Sequence, residues 1–128
     1  MWARSKGEAL QVSEVTKQPH VRTLYTLQRS EQFTAGVESI AASCSVPAHK
    51  HDDTEEILFC TGGCGMVKLE TDAGEERLDF TPGVMVLVPK GRTHSIHNTS
   101  DTEELWLSFT LKGEQASESF MAKTPSSS

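Results

Sequence analysis

The feature that most constrains this chain is its punctuation. Gly, Pro, Asp or Asn breaks the sequence roughly every 8–12 residues, and the segments between are short and rich in β-branched, aromatic and other apolar residues. Runs at 21–28 (VRTLYTLQ), 36–46 (GVESIAASCSV), 56–60 (EILFC), 64–71 (CGMVKLET), 75–80 (EERLDF), 83–89 (GVMVLVP), 94–98 (HSIHN) and 104–111 (ELWLSFTL) read as strands, with TDAG at 71–74 as a hairpin turn. No stretch sustains a helical period, and residues 5–18 carry only a weak signal for a short helix or an edge strand. Many short strands without helices predict an all-β sandwich or barrel. A barrel of this kind lines its interior with every second side chain, so strand parity decides which residues meet inside.

Length and charge narrow the function. The 128 residues suit one domain: an N-terminal segment at 1–20 that could cover a sheet edge or a dimer interface, a barrel at 21–112, and a Ser-rich polar tail at 113–128. Hydrophobic residues make up 36% of the chain and no run approaches the ~20 apolar residues of a spanning helix, so no membrane partner is expected. The N-terminus MWARSKGEALQVSEV lacks an apolar h-region, from which a cytoplasmic location is expected. A net charge of -6 argues against nucleic acid or an anionic surface as partner, since both select basic patches. Three cysteines, Cys44, Cys60 and Cys64, are too few and odd in number for a disulfide framework or a four-cysteine zinc site.

The chemistry lies in two stretches. In PAHKHDDTEEILFCTGG (47–63), His49 and His51 are spaced to share one face of a strand, and Glu56 opens the next strand toward the same space. Two imidazoles and a carboxylate form a donor set suited to iron, manganese, nickel, cobalt or zinc. In GVMVLVPKGRTHSIHN (83–98), Pro89 and Gly91 bracket a turn, and His94 begins a strand that can supply a third imidazole.

These residues resemble the cupin superfamily. His49, His51, Glu56 and Gly63 match the core of its first motif, G-x(5)-H-x-H-x(3,4)-E-x(6)-G, with Ser43 in place of the leading glycine. Gly83, Pro89, Gly91, His94 and Asn98 match every position of the second, G-x(5)-P-x-G-x(2)-H-x(3)-N. The resemblance implies a cupin-type jelly-roll barrel holding one divalent transition metal (Fe, Mn, Ni, Co, Zn or Cu) with His49, His51, Glu56 and His94. Glu55 competes with Glu56 because the family tolerates both spacers. It also implies a structural role for Asn98 and a homodimer, through exchange of an N-terminal strand or packing of sheet edges.

Parity from Glu56 places Leu58 and Cys60 inside, and from His94 places Ile96 inside, as an apolar wall of the substrate pocket. The last strand offers two alternative inward sets, Trp106, Ser108 and Thr110 or Leu105, Leu107 and Phe109. Tyr25, Arg22, Gln28 and Trp106 are further candidates for substrate contact, and His97 is expected on the opposite face from His94. The expected function is a metal-dependent enzyme on a small organic molecule, a dioxygenase in preference to a lyase, isomerase or decarboxylase. A binding or sensing module without turnover is the third reading. Fold alone does not choose among them.

Overall fold

The runs between turn signals become ten strands in the computed structural model, which describes residues 9–30 and 32–113. They are β1 (Glu14–Gln18), β2 (Arg22–Arg29), β3 (Phe33–Ile40), β4 (Ser45–His49), β5 (Glu55–Gly62), β6 (Gly65–Thr71), β7 (Gly74–Phe80), β8 (Met85–Val88), β9 (His94–Asn98) and β10 (Leu105–Lys112). Among the described residues there is no helix, and none is long and apolar enough to cross a membrane. The strands form a six-stranded sheet, β1-β2-β3-β10-β5-β8, and a four-stranded sheet, β4-β9-β6-β7, with every neighbouring pair antiparallel. The fold is an all-β jelly roll.

Burial follows parity. On β10, Leu105, Leu107, Phe109 and Leu111 point into the barrel while Trp106, Ser108 and Thr110 stay half-exposed outside. Leu24, Ile40, Leu58, Val67, Phe80 and Ile96 meet the β10 residues in one core. Two charged side chains share that interior. Arg22 Nη1 lies 3.2 Å from Glu38 Oε2, and both side chains are almost wholly buried. A charge left alone there would cost several kcal/mol or more, so each partner requires the other.

The run at 36–46 is two strands, not one. β3 ends at Ile40 in the larger sheet and β4 begins at Ser45 in the smaller, so residues 41–44 carry the chain from one sheet to the other. Ser43 turns that corner with φ +63°, a left-handed conformation. Glycine adopts it without steric cost, which explains the glycine that the family pattern places there. The motif glycines Gly63, Gly83 and Gly91 all take positive φ as well, and a Cβ on Gly63 would stand 2.4 Å from the Glu104 carbonyl oxygen.

The corner is fastened by Asn98. Its Nδ2 lies 3.0 Å from the Ile40 carbonyl oxygen, 3.1 Å from that of Ala41 and 2.8 Å from that of Glu103. Its Oδ1 accepts the Ser100 N–H at 2.9 Å. Of the weak segment at 5–18, Glu14–Gln18 forms an edge strand, β1, paired to β2, and residues 5–8 lie outside the described residues. The polar tail expected at 113–128 falls, from residue 114 on, outside the described residues, as does the start of the N-terminal segment.

Two substitutions test this corner. Ser43→Gly should raise stability by up to about 1 kcal/mol, because relief of the left-handed strain outweighs the extra freedom of the unfolded chain. Asn98→Ala strands buried carbonyls and should cost about 2–4 kcal/mol. Urea unfolding monitored by circular dichroism measures both.

Candidate metal centre

Four side chains from three strands and one loop converge at one end of the barrel. The donor atoms of His49, His51, Glu56 and His94 all lie within 4.8 Å of one another. Metal–ligand bonds of about 2.1 Å put adjacent donors about 3 Å apart and opposed ones about 4.2 Å apart, so the cluster is close to the size that one ion requires. His49, the last residue of β4, pairs directly with His94, the first of β9. Their rings stand 4.3 Å apart, and the ring of His51 lies 5.2 Å from His49 and 5.8 Å from His94. His51 is not on a strand as the two-residue spacing suggests. It follows β4 in the connection to β5, where its carbonyl accepts the Gly91 N–H at 2.8 Å and so ties its loop to the turn before His94.

Backbone carbonyls set the imidazole orientations. His49 Nδ1 donates to the Pro47 carbonyl at 2.8 Å and His94 Nδ1 to the Arg92 carbonyl at 3.0 Å. A carbonyl only accepts, so the proton sits on Nδ1 and both Nε2 atoms turn inward, the usual support for a ligating histidine. Arg92 is anchored in turn by Asp72 in the β6–β7 turn, Nη1 to Oδ1 2.8 Å. The hydrogen bond and charge of Arg92 hold the Asp72 carboxyl below its usual range.

Glu56 supplies the carboxylate. It is 1% exposed, with Oε1 2.9 Å from His94 Nε2 and 3.8 Å from His51 Nε2. Glu55 points to the outer face, where it neighbours Lys112 across the β5–β10 ladder. Of the two glutamates, Glu56 is the one grouped with the three imidazoles.

The register names the walls. Val88 and Leu111 flank Glu56 on the neighbouring strands, and Leu69 flanks His94 opposite His49. Leu58 and Ile96 lie one pleat further in, buried as the sequence predicts. Cys60 also faces inward, but it is two pleats, about 13 Å, from Glu56 along β5. It belongs to the core: burial pushes its thiol up, and Sγ lies 3.7 Å from the Gly62 carbonyl oxygen.

Tyr25 and Trp106 do not line the barrel. They stack on the outer face of the six-stranded sheet, centroids 6.1 Å apart and planes 18° apart, because Leu24 and Leu105 take the inward parity. Gln28 faces outward too, displaced by the bulge at Leu27. Arg22 is consumed by Glu38 and lies in the row of Ile40, six residues or about 20 Å along β3 from the row of Thr34 and Glu56. His97 lies on the outer face of the smaller sheet, its Nδ1 2.8 Å from Ser45 Oγ and its Nε2 2.8 Å from Ser95 Oγ. Burial and then the charge of Lys68 lower its pKa. The flanking Val88, Leu69 and Leu111 carry no motif signal, and neither do the orienting carbonyls.

A family model described as the cupin domain matches residues 36–110, more than half of the chain. The chain belongs to the cupin family. No curated protein sequence matches it. Among solved structures, this cupin is similar to TT1209 from Thermus thermophilus, with TM-score 0.66 and 17% identity over 75% of this chain and 87% of that one. It is similar to an oxalate oxidase, TM-score 0.67 and 15% identity, over 77% of this chain and 54% of that one. It is also similar to KdgF from Halomonas sp., TM-score 0.59 and 16% identity, over 84% and 89%. At these identities the likeness is one of fold.

Metal analysis of the purified cupin should find close to one transition metal ion per chain. His49→Ala with His51→Ala, and separately Glu56→Gln, should lose at least 90% of it while Glu55→Gln keeps it. Full metal in the double variant would overturn the site.

Proposed function

We propose that this cupin is a metal-dependent enzyme that takes a small organic molecule at His49, His51, Glu56 and His94, with oxygenation as the favoured reaction. The observation that carries the reading is the contrast between a convergent donor set and its surroundings. The four donors meet within 4.8 Å, and the inward side chains next to them, Leu58, Leu69, Val88, Ile96 and Leu111, are hydrocarbon.

Three imidazoles and one carboxylate fit a divalent ion, which when bound would supply Lewis acidity, one-electron chemistry if it is iron or copper, and two open positions for small molecules. The residues around it define the rest. His49 and His94 are locked by their Nδ1 hydrogen bonds, so their geometry is set before substrate arrives. The hydrocarbon walls favour an apolar or aromatic substrate body and keep water off the reacting atoms. Proton abstraction from carbon needs a side-chain base within hydrogen-bond reach of the substrate. The register sets Leu58, a residue with no exchangeable proton, on the pleat beside Glu56. That disfavours lyase or isomerase chemistry run by such a base and favours a reaction confined to molecules held side by side at the four donors.

The test is oxygen uptake by the iron-loaded protein against diketones, catechols and flavonols. Uptake should match substrate loss mole for mole and fall by at least a hundredfold in Glu56→Gln. A silent electrode together with anaerobic turnover of carboxylic acids or sugars would replace oxygenation by Lewis-acid chemistry. Ligand binding without turnover of any kind would make the protein a binding module.

A further inference from the structure

The metal end of the barrel carries a feature that the four donors leave unused. The turn between β8 and β9, residues 89–93, holds two cations, Lys90 and Arg92, and no acidic residue, in a chain whose net charge is -6. Between it and the β6–β7 turn lies a groove of about 410 Å3, a size typical of small-molecule clefts. Leu69, Asp72, Pro89 and Arg92 are among its walls. Two of these join it to the donor set: Leu69 pairs with His94 in the β6–β9 ladder, and Pro89 follows Val88, the partner of Glu56 on β8. Glu70 also borders the groove, but it stands beside Glu75 on the outer face of the smaller sheet. Arg92 is two residues, at most about 7 Å of chain, from His94. The Arg92 guanidinium is engaged at one point. Its Nη1 lies 2.8 Å from Asp72 Oδ1, and among the described residues the side chain makes no other hydrogen bond. Asp72 is the outer partner, with its side chain 92% exposed against 36% for Arg92. A guanidinium presents five N–H donors in a planar fork, so a single contact leaves an edge that can hold a carboxylate with two bonds.

We propose that Arg92 is a specificity-determining residue of the metal site: it holds a carboxylate at the far end of the substrate while the near end meets the four donors. The inference rests on the enzymatic reading of that site and narrows its substrate to a small organic acid with an apolar or aromatic body. Charge selects the class. Among the described residues lining the groove, Arg92 is the only cation, and the hydrocarbon of Leu69 and Pro89 lies on the side toward the donors. An apolar body that ends in an anion matches both parts. Asp72 shows that the guanidinium accepts a carboxylate in this place. An exposed Asp–Arg pair is weak, so a substrate carboxylate joins or displaces Asp72 at little cost. The competing role for the pair is a strut that steadies the turn and, through the Arg92 carbonyl, His94. The two roles give opposite signs at Asp72. Loss of either partner breaks a strut, whereas a receptor is lost with Arg92 and freed by removal of the Asp72 charge.

The experiment is calorimetric titration of the zinc-loaded full chain with protocatechuate, a catechol that bears one carboxylate, and with its neutral amide. Zinc has no redox chemistry, so binding is read without turnover. The acid should bind the wild type about tenfold or more tightly than the amide does. Arg92→Gln should abolish that preference, and Asp72→Asn should increase it by about two- to fivefold. Zinc content should be equal in the three proteins, because His94 Nδ1 bonds the backbone of residue 92 and not its side chain. An acid that binds no better than the amide overturns the proposal. So does weaker binding of the acid to Asp72→Asn, or loss of zinc from Arg92→Gln, since both are what a strut gives. A wild type that holds no zinc fails the metal site itself, and the receptor with it. Oxygen uptake takes no part in these readings. A protein that passes them and consumes no oxygen keeps the carboxylate receptor and loses only oxygenation.

Discussion

The candidate metal centre depends on a corner that contains none of its four donor residues. The chain leaves the larger sheet at Ile40 and enters the smaller one at Ser45, and the buried side chain of Asn98 gathers the carbonyls of Ile40, Ala41 and Glu103 around one amide. The backbone agrees: Asn98 N–H donates to the Cys44 carbonyl and Ser43 N–H to that of Ser100. These bonds put β4 beside β9, and that pairing sets His49 opposite His94. A bulge between Val46 and His49 then sets the final register of the two imidazoles. The asparagine of the second motif is thus a positioning residue for the histidines of both motifs.

The electrostatics of the site follow from this packing. Glu56 is enclosed by hydrocarbon on β8 and β10, an environment that disfavours a lone carboxylate. His94 Nε2 stands 2.9 Å from Glu56 Oε1, while His94 Nδ1 donates to the Arg92 carbonyl. Arg22 and Glu38 solve the same problem differently at the far end of the barrel: they neutralise each other directly and leave no donor set for an ion.

How much of this was legible in the sequence depended on whether a residue's role was local or long-range. The alternation of apolar residues and the turn signals gave the strands, because both are properties of a few consecutive residues. The two motifs named His49, His51 and His94 and favoured Glu56 while leaving Glu55 as its alternative, since the first motif tolerates both spacers. Strand parity separated Glu56 from Glu55 and sent Leu58 and Ile96 inward. It did not choose between the two faces of β10, because both offered a plausible set, and the choice rests on the partners β3 and β5 brought in from distant sequence. Tyr25 and Trp106 read as pocket residues by their chemistry and proved to be surface residues by register. The division of 36–46 into two strands was hidden because Ser43 occupies a corner where glycine would have marked the turn.

The misplacement of Tyr25 and Trp106 bears on how the barrel divides its tasks. A strand has two faces, and in a barrel with a packed interior only one of them can contribute to the core and the metal centre. The outer face of the larger sheet is therefore free of the constraints that fix Glu56, Leu58 and Leu111, yet it has kept apolar residues on every strand from Val15 to Met85. The smaller sheet, under the same freedom, carries charges. Pleat alternation does not explain the difference, because the strands of both sheets turn alternate residues outward. What separates them is composition: the smaller sheet turns charged residues outward, and the larger one a row that is mostly apolar or aromatic.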